Sequence, residues 1–524
     1  MHLATFRKER LQLTRKPWLA GVLVCFVGLT SYSVTLGIHR YEELSVSQRA
    51  RQEEARRDWM EQKTGSAHLA THHGTSLYKV FSPLIAFDLG VDPFQGTAVR
   101  LESHRQQPMT DPLSAEIVDP LHFDVSSPAL LLQCVLPLLM IFLTFSKISS
   151  EREQGTLSLI LSSGGSWRRW VFAHFTVSFA LTVFILLLPM GWIAVWMSSA
   201  TSPPEVCPGN HSTTQILLPS GEKVAARPDE GAHVASASTS HRSNPSPLRG
   251  EGESRDRPPE SFDTNLKSRF AFLLGCQLLF LGGWILLSLG ISARAKSSRV
   301  AFVLLLSFWT GWCVVMPRLA VEFARHQAPL PLQEDLVRDS RTQVKYADEP
   351  RASAKIHADL EAKLFAEYGV SSRKDLPLNW GGASMIALEE HTDQLYDAQA
   401  ARLNDIFVKQ DQILNAAVWI SPFLAMRAAS SAFAGTDRRH HQAFYDAAEQ
   451  YRRKLVLTMN QFDMARIKPT SAKSGPEVWG LVPAFQYEFP DVQAVAERSR
   501  TSLIVLVVWF FGTGLFALIA PARM

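Results

Sequence analysis

The feature that most constrains this chain is the stretch 128–197, where two uncharged apolar runs flank a short charged loop. The first run, PALLLQCVLPLLMIFLTF, carries no charge over 18 residues, close to the ~20 that cross a ~30 Å hydrocarbon layer as a helix. The second, Trp170–Met197, is uncharged for 28 residues, longer at ~1.5 Å per residue than the layer is thick. Tilt, protrusion or a kink must absorb the excess, and Pro189 is the place for a kink.

Apolar residues gather into six such runs, 17–38, 128–145, 170–197, 270–291, 300–316 and 503–520. The expected fold is therefore mainly α, a polytopic membrane protein with six transmembrane helices and a mostly helical extracytoplasmic domain. Basic residues set its orientation. They flank the first span (Arg7, Lys8, Arg10, Arg15, Lys16), fill the second-to-third loop (Lys147, Arg152, Arg168, Arg169) and the fourth-to-fifth turn (Arg294, Lys296, Arg299), and recur at Arg523. Both termini (1–16 and 521–524), 146–169 and 292–299 are thus expected in the cytoplasm, with 39–127, 198–269 and 317–502 outside. The first run exceeds a signal-peptide core and lacks a clear cleavage site, so an uncleaved helix is expected. The net charge of +4 is accounted for by the cytoplasmic flanks and gives no reason to invoke nucleic acid. Of five cysteines only Cys207 lies outside the spans, so no intramolecular disulfide can staple the external segments.

Those segments differ in character. The charged run from His39, free of Gly and Pro to Lys63, continues span one as a stalk helix. Residues 64–127 read as loops with a few extended pieces. The proline- and serine-rich stretch 198–269 reads as disordered. Segment 317–502 is long enough for a folded domain. In it Leu388, Leu395, Tyr396, Leu403, Ile406, Ile413 and Leu414 form an apolar stripe, Ser421-Pro422 starts a helix, Gly435 stops it, and Thr436 or Asp437 caps the next.

In the loop SKISSEREQGTLSLILSSGGSWRRW, Ser150 and Glu153 fit a capping box that would open a helix over 150–163. Leu157, Ile160 and Leu161 give it an apolar stripe, and Gly164-Gly165 ends it. A membrane-surface hairpin without a partner has the same spacing. Yet a span, the ER-E-GTL motif, a serine-rich segment, basic residues and a long span together resemble the permease of a type-2, exporter-like ABC transporter. In that family the loop is the coupling helix seated in the ATPase, and Glu151, Arg152, Glu153, Gly155, Thr156 and Leu157 are the matching positions. The likeness extends to a subgroup with a large periplasmic insertion of unknown function. It rests on HLATHHG at 68–74, LESHRQ at 101–106, LPLNWGG at 376–382, SPFLAMRAASSAFAGTD at 421–437, HHQAFYDAAEQYR at 440–452 and Asn460. Stretch 199–267 departs from the family pattern. The resemblance implies a bacterial inner-membrane protein that pairs with a second permease copy or a sister permease and binds two ATPase subunits.

No G-x-x-x-x-G-K-[ST] occurs, so ATP would be bound and hydrolysed on the partner, with no cofactor in this chain. No G-x-S-x-G or H-E-x-x-H occurs either, and no enzyme activity is expected. The spans hold no Asp, Glu, Lys or Arg, which argues against a proton-driven carrier. Outside them, His68 and His72 at i, i+4 would share a helix face as a metal pair, with Glu102 and His104 adding ligands if their segment is extended. The Gly/Pro-rich context speaks against a helix there, and the alternative is that these histidines cap, hydrogen-bond or pack. Two further functions remain open: a membrane-anchored sensor or assembly scaffold, and a metal-dependent membrane enzyme. Nothing distinguishes lipid, glycan, peptide, drug or metal-complex cargo.

Overall fold

The computed structural model describes residues 17–113, 127–157, 159, 166–199, 260–331, 350–466 and 475–519. Among them, six helical stretches are long and apolar enough to cross a membrane: Trp18–Glu61, Pro128–Glu153, Trp167–Ser199, Thr264–Arg294, Ser298–Gln327 and Arg500–Leu518. Helix α1 (Pro17–Glu61) runs 45 residues without a break, ~67 Å at 1.5 Å per residue, so its charged second half projects well beyond a ~30 Å layer. The fifth span likewise continues past the expected end at 316, to Gln327.

The fourth span is the hub. It is the most buried of the six, and Phe280, Trp284 and Leu289 are fully enclosed. Gly283 lets the sixth span in: a Cβ there would sit 2.0 Å from Trp509 Nε1, which donates to the Phe280 carbonyl at 3.2 Å. Spans two and five each contain a π-turn, Leu131–Val135 and Gly311–Val315, just before Pro137 and Pro317. A helical proline has no N–H and crowds the carbonyl four residues back, and a π-turn relieves both problems. Side chains meet the carbonyls of these turns: Leu132 by Gln277 Nε2 (2.8 Å), Cys134 by Trp309 Nε1 (2.9 Å) and Trp312 by Ser421 Oγ (3.1 Å).

The long segment before the sixth span is helical, as expected. Its elements include Pro350–Tyr368, Trp380–Val418, Pro422–Ala434 and Arg438–Ala465. The caps fall where the residues put them. Ser421 Oγ accepts from Leu424 N, Gly435 ends its helix at φ 78°, and Asp437 accepts from His440 N. Pro422–Ala434 is apolar enough to pack among the spans, and Phe433 stacks on Phe272 with ring centroids 5.0 Å apart. The stripe from Leu388 to Leu414 on Trp380–Val418 is only half-buried; Glu389 on that helix lies deeper.

Two expectations fail here. Of the stretch 198–269 read as disordered, residues 200–259 lie outside the described ones, but 260–269 begin the helix Glu260–Arg294. Arg269 in it is buried, donating to the Pro490 carbonyl and to His440 Nε2 (3.1 Å), contacts between distant segments that composition does not display. The region after the stalk has the expected extended pieces, paired into a sheet, but it also contains a helix that was not expected. It holds a short helix, α2 (Ala67–His73), and a three-stranded antiparallel sheet of β1 (Thr75–Tyr78), β2 (Ala98–Glu102) and β3 (Arg105–Gln106), with Thr75 opposite Leu101 and Glu102 opposite Arg105.

Candidate functional site

The loop after the second span does not form one helix over 150–163. A five-residue helix, α3 (Ser149–Glu153), has Ile148 rather than Ser150 at its N-cap position, and Gly155 at φ 71° breaks the run. Ser150 Oγ bonds back to the Ser146 carbonyl at 2.6 Å, so the expected capping box does not form. Glu153 instead reaches another element. Its carboxylate accepts from Ser298 N (2.8 Å) and Ser298 Oγ (2.9 Å), opening the helix α4 (Ser298–Thr310) of the fifth span. A carboxylate is favoured at a helix N-terminus, and these bonds hold Glu153 below the usual carboxylate range.

Other described residues of the loop are tied to the same turn. Arg152 donates to the Ala295 carbonyl at 2.9 Å, and Ser292 Oγ accepts from Ile148 N (3.2 Å) and Ser149 N (3.1 Å). Ser149 Oγ meets Ser298 Oγ at 3.0 Å, and deeper in the bundle Thr144 meets Ser288 at 2.7 Å. Thr156 Oγ1 binds the Glu151 carboxylate at 2.5 Å, and Leu157 is buried in the main core. Of the expected apolar stripe, Ile160 and Leu161 lie outside the described residues. All six motif residues thus sit on one ledge bonded to the fourth-to-fifth turn, with Glu153, Gln154 and Gly155 on its exposed side.

The second constellation lies in the segments outside the spans. Helix α2 is too short to hold by itself, and it is fixed at both ends. Ser66 Oγ accepts from Leu69 N (3.1 Å), the Asp463 carboxylate accepts from Ala67 N (3.2 Å) and His68 N (2.8 Å), and Gly74 N closes on the Ala70 carbonyl (3.2 Å). Its i, i+4 spacing therefore does put His68 and His72 on one face, with their Nε2 atoms 3.1 Å apart. The β2–β3 turn brings the third imidazole. Ser103 N donates to the Thr71 carbonyl at 3.1 Å, and His104 takes φ 61°, a conformation uncommon outside glycine. His68, His72 and His104 are left with ring centroids 4.8, 5.3 and 5.1 Å apart.

Glu102 is not part of this cluster. The segment turns rather than runs extended, and the Glu102 carboxylate bonds Arg100 and Gln107. The residues that spacing did not reveal are those behind the imidazoles. Glu389 accepts from His104 N (2.9 Å) and pairs with His104 Nδ1 (2.7 Å), and Asn460 Oδ1 meets His68 Nδ1 at 2.7 Å. Burial opposes charge on Glu389, but the bonds from His104 outweigh it and keep the carboxyl below its usual range. Burial, reinforced by the neighbouring imidazoles, lowers both His68 and His72, which favours their neutral, lone-pair-bearing form. Arg452 lies behind Glu389, 3.7 Å away, buried and bonded also to Glu449 and Asp393. A cleft lined by Glu389, Asp393, Arg452, Arg453 and Asn460 adjoins the cluster.

These helices and their apolar lengths define a multi-pass, mainly α-helical membrane protein. Residues 338–488 match the family model of a domain of unknown function, DUF3526. That stretch supplies Glu389, Asn460 and Asp463, while the three imidazoles come from outside it. No curated protein and no solved structure matches the chain.

Proposed function

We propose that this chain is the membrane-spanning permease subunit of an ATP-driven transporter, of the type-2, exporter-like ABC class. It lies in a bacterial inner membrane with both termini in the cytoplasm, pairs with a second permease and takes its energy from two separate ATPase subunits. The observation that carries this reading is the bonded ledge. A force on the loop after span two passes through Glu153–Ser298, Arg152–Ala295 and the Ser292 contacts straight into spans four and five. A passive hairpin has no need of such ties. The sequence supports it further, with a basic flank at each cytoplasmic segment and no nucleotide-binding motif. The DUF3526 match falls inside 317–502, where the resemblance places an insertion without assigned function.

The test is co-purification. Isolated in mild detergent, the chain should bring with it a protein carrying a Walker A motif. Gly155 is the position to probe, because a Cβ there would meet no neighbour within 4 Å while its φ of 71° strains any side chain. Gly155→Asn tolerates that backbone and controls for strain. Gly155→Arg should lose the ATPase while Gly155→Asn keeps it, at similar thermal stability. Full retention by Gly155→Arg, or the absence of any ATPase partner, would overturn the proposal.

A further inference from the structure

We infer that His68, His72 and His104 form a binding site for a divalent transition metal of the zinc and copper class, with Glu389 and Asn460 fixing the orientation of two of the three ligands. The imidazoles converge from two elements, and the nitrogen atoms they offer all lie within 4.8 Å of one another. Two ligands of a tetrahedral zinc at ~2.05 Å are about 3.3 Å apart, and the His68 and His72 Nε2 atoms stand at 3.1 Å. Small side-chain rotations bring the third nitrogen into range.

For two of the three imidazoles the surroundings select the tautomer that binding requires, while His72, whose Nε2 donates to His68 Nε2, must move that proton to Nδ1 when an ion binds. A carboxylate only accepts, so His104 donates from Nδ1 to Glu389 and leaves its Nε2 lone pair for a ligand bond. His68 donates from Nδ1 to Asn460 Oδ1 and does the same. A carboxylate or amide oxygen behind an imidazole is the usual support of a metal-bound histidine. The left-handed backbone at His104 is held by Glu389 from both sides, through the main-chain N–H and the ring. A packing or capping histidine requires no such arrangement, and a hydrogen-bonded His68–His72 pair alone leaves His104 unexplained.

Three neutral nitrogen donors suit zinc, copper or nickel and do not suit calcium or magnesium, which take oxygen. Three protein ligands leave a fourth position for water or an exchangeable ligand, and His72 is exposed, so the ion has a path in. The ligands come from the segment after span one and their supports from the long segment before span six. Binding should therefore tighten the joint between these two regions.

The full chain, purified through a histidine-free tag and stripped with chelator, is titrated with zinc, copper and nickel. Elemental analysis counts the ions, and thermal unfolding follows the stabilisation that tight binding must confer. One equivalent per chain and a raised Tm are expected. His72→Ala should lose binding at least tenfold while keeping the metal-free Tm, since its ring is exposed. Glu389→Gln should bind one equivalent some 10–100-fold more weakly. His39→Ala, remote from the cluster, should bind as wild type does. Absence of a bound equivalent at micromolar zinc or copper in the wild type would overturn the inference, as would undiminished binding by His72→Ala.

Discussion

Glu153 closes the loop after the second span onto the fifth, its carboxylate accepting both the backbone N–H and the hydroxyl of Ser298, 145 residues away. It adds to the local N-cap of α4, where Ser297 Oγ accepts from Val300 N at 3.3 Å, and in doing so links two spans. Glu153→Ala and Ser298→Ala should each lower Tm; Glu153→Ala removes both bonds while Ser298→Ala leaves the backbone one, so the double variant should fall short of the sum of the two. Fully additive losses would show that the pair is not coupled. The carboxyl is depressed, so its contribution is complete above the ordinary glutamate value of 4.5 and disappears as pH falls through the lower folded value.

The two adjacent arginines of the long segment should behave very differently. Arg452 is almost wholly buried among Asp393, Glu449 and Glu389; burial disfavours its charge, and these carboxylates more than restore it. Arg452→Met would strand those carboxylates and should destabilise by about 3–5 kcal/mol. Arg453 is half-buried and pairs with the exposed Asp397 and also with Glu449 and Asp393, which Arg452 continues to neutralise, so Arg453→Met should cost less, about 1–2 kcal/mol. Denaturant titration of the two variants measures the difference; equal losses would contradict the burial argument.

His441 should make stability depend on pH. Burial, with Lys79 and Arg438 nearby, lowers it from 6.5 to about 4. The folded chain then binds fewer protons than the unfolded one between those values. Stability should be level above about 6.5, fall as pH drops to about 4, and flatten again below. The full shift corresponds to ~3 kcal/mol, an upper bound that solvent screening at this partly exposed ring reduces. In His441→Phe this part of the slope should vanish; an unchanged slope would assign it to other groups.

Much of the architecture is legible in the sequence. Apolar runs located all six spans because a hydrocarbon-crossing helix needs a length of uncharged sequence, a purely local property. Ser421 and Gly435 announced their helix ends, and the next start was narrowed to Thr436 or Asp437, of which Asp437 is the cap, for the same reason: a cap acts within three or four residues. The i, i+4 spacing of His68 and His72 was visible too, but whether a helix forms there depended on Asp463, which stabilises its first turn from another helix.

What the sequence by itself determined, then, was the six helices among the described residues that are long and apolar enough to cross a membrane, the helical character of the long segment and the places where several helices start and stop. Only the tertiary structure decided the partners. It moved Glu153 from a local capping box to Ser298, broke the loop at Gly155, removed Glu102 from the histidines and put Glu389 and Asn460 behind them. His104 and Glu389 are 285 residues apart, and His68 and Asn460 are 392 apart. Helix periodicity reports which residues share a face, but not which face of a distant helix will meet it. That depends on how all the helices pack at once, and a polar group commits to its partner only when packing removes the water that would otherwise satisfy it.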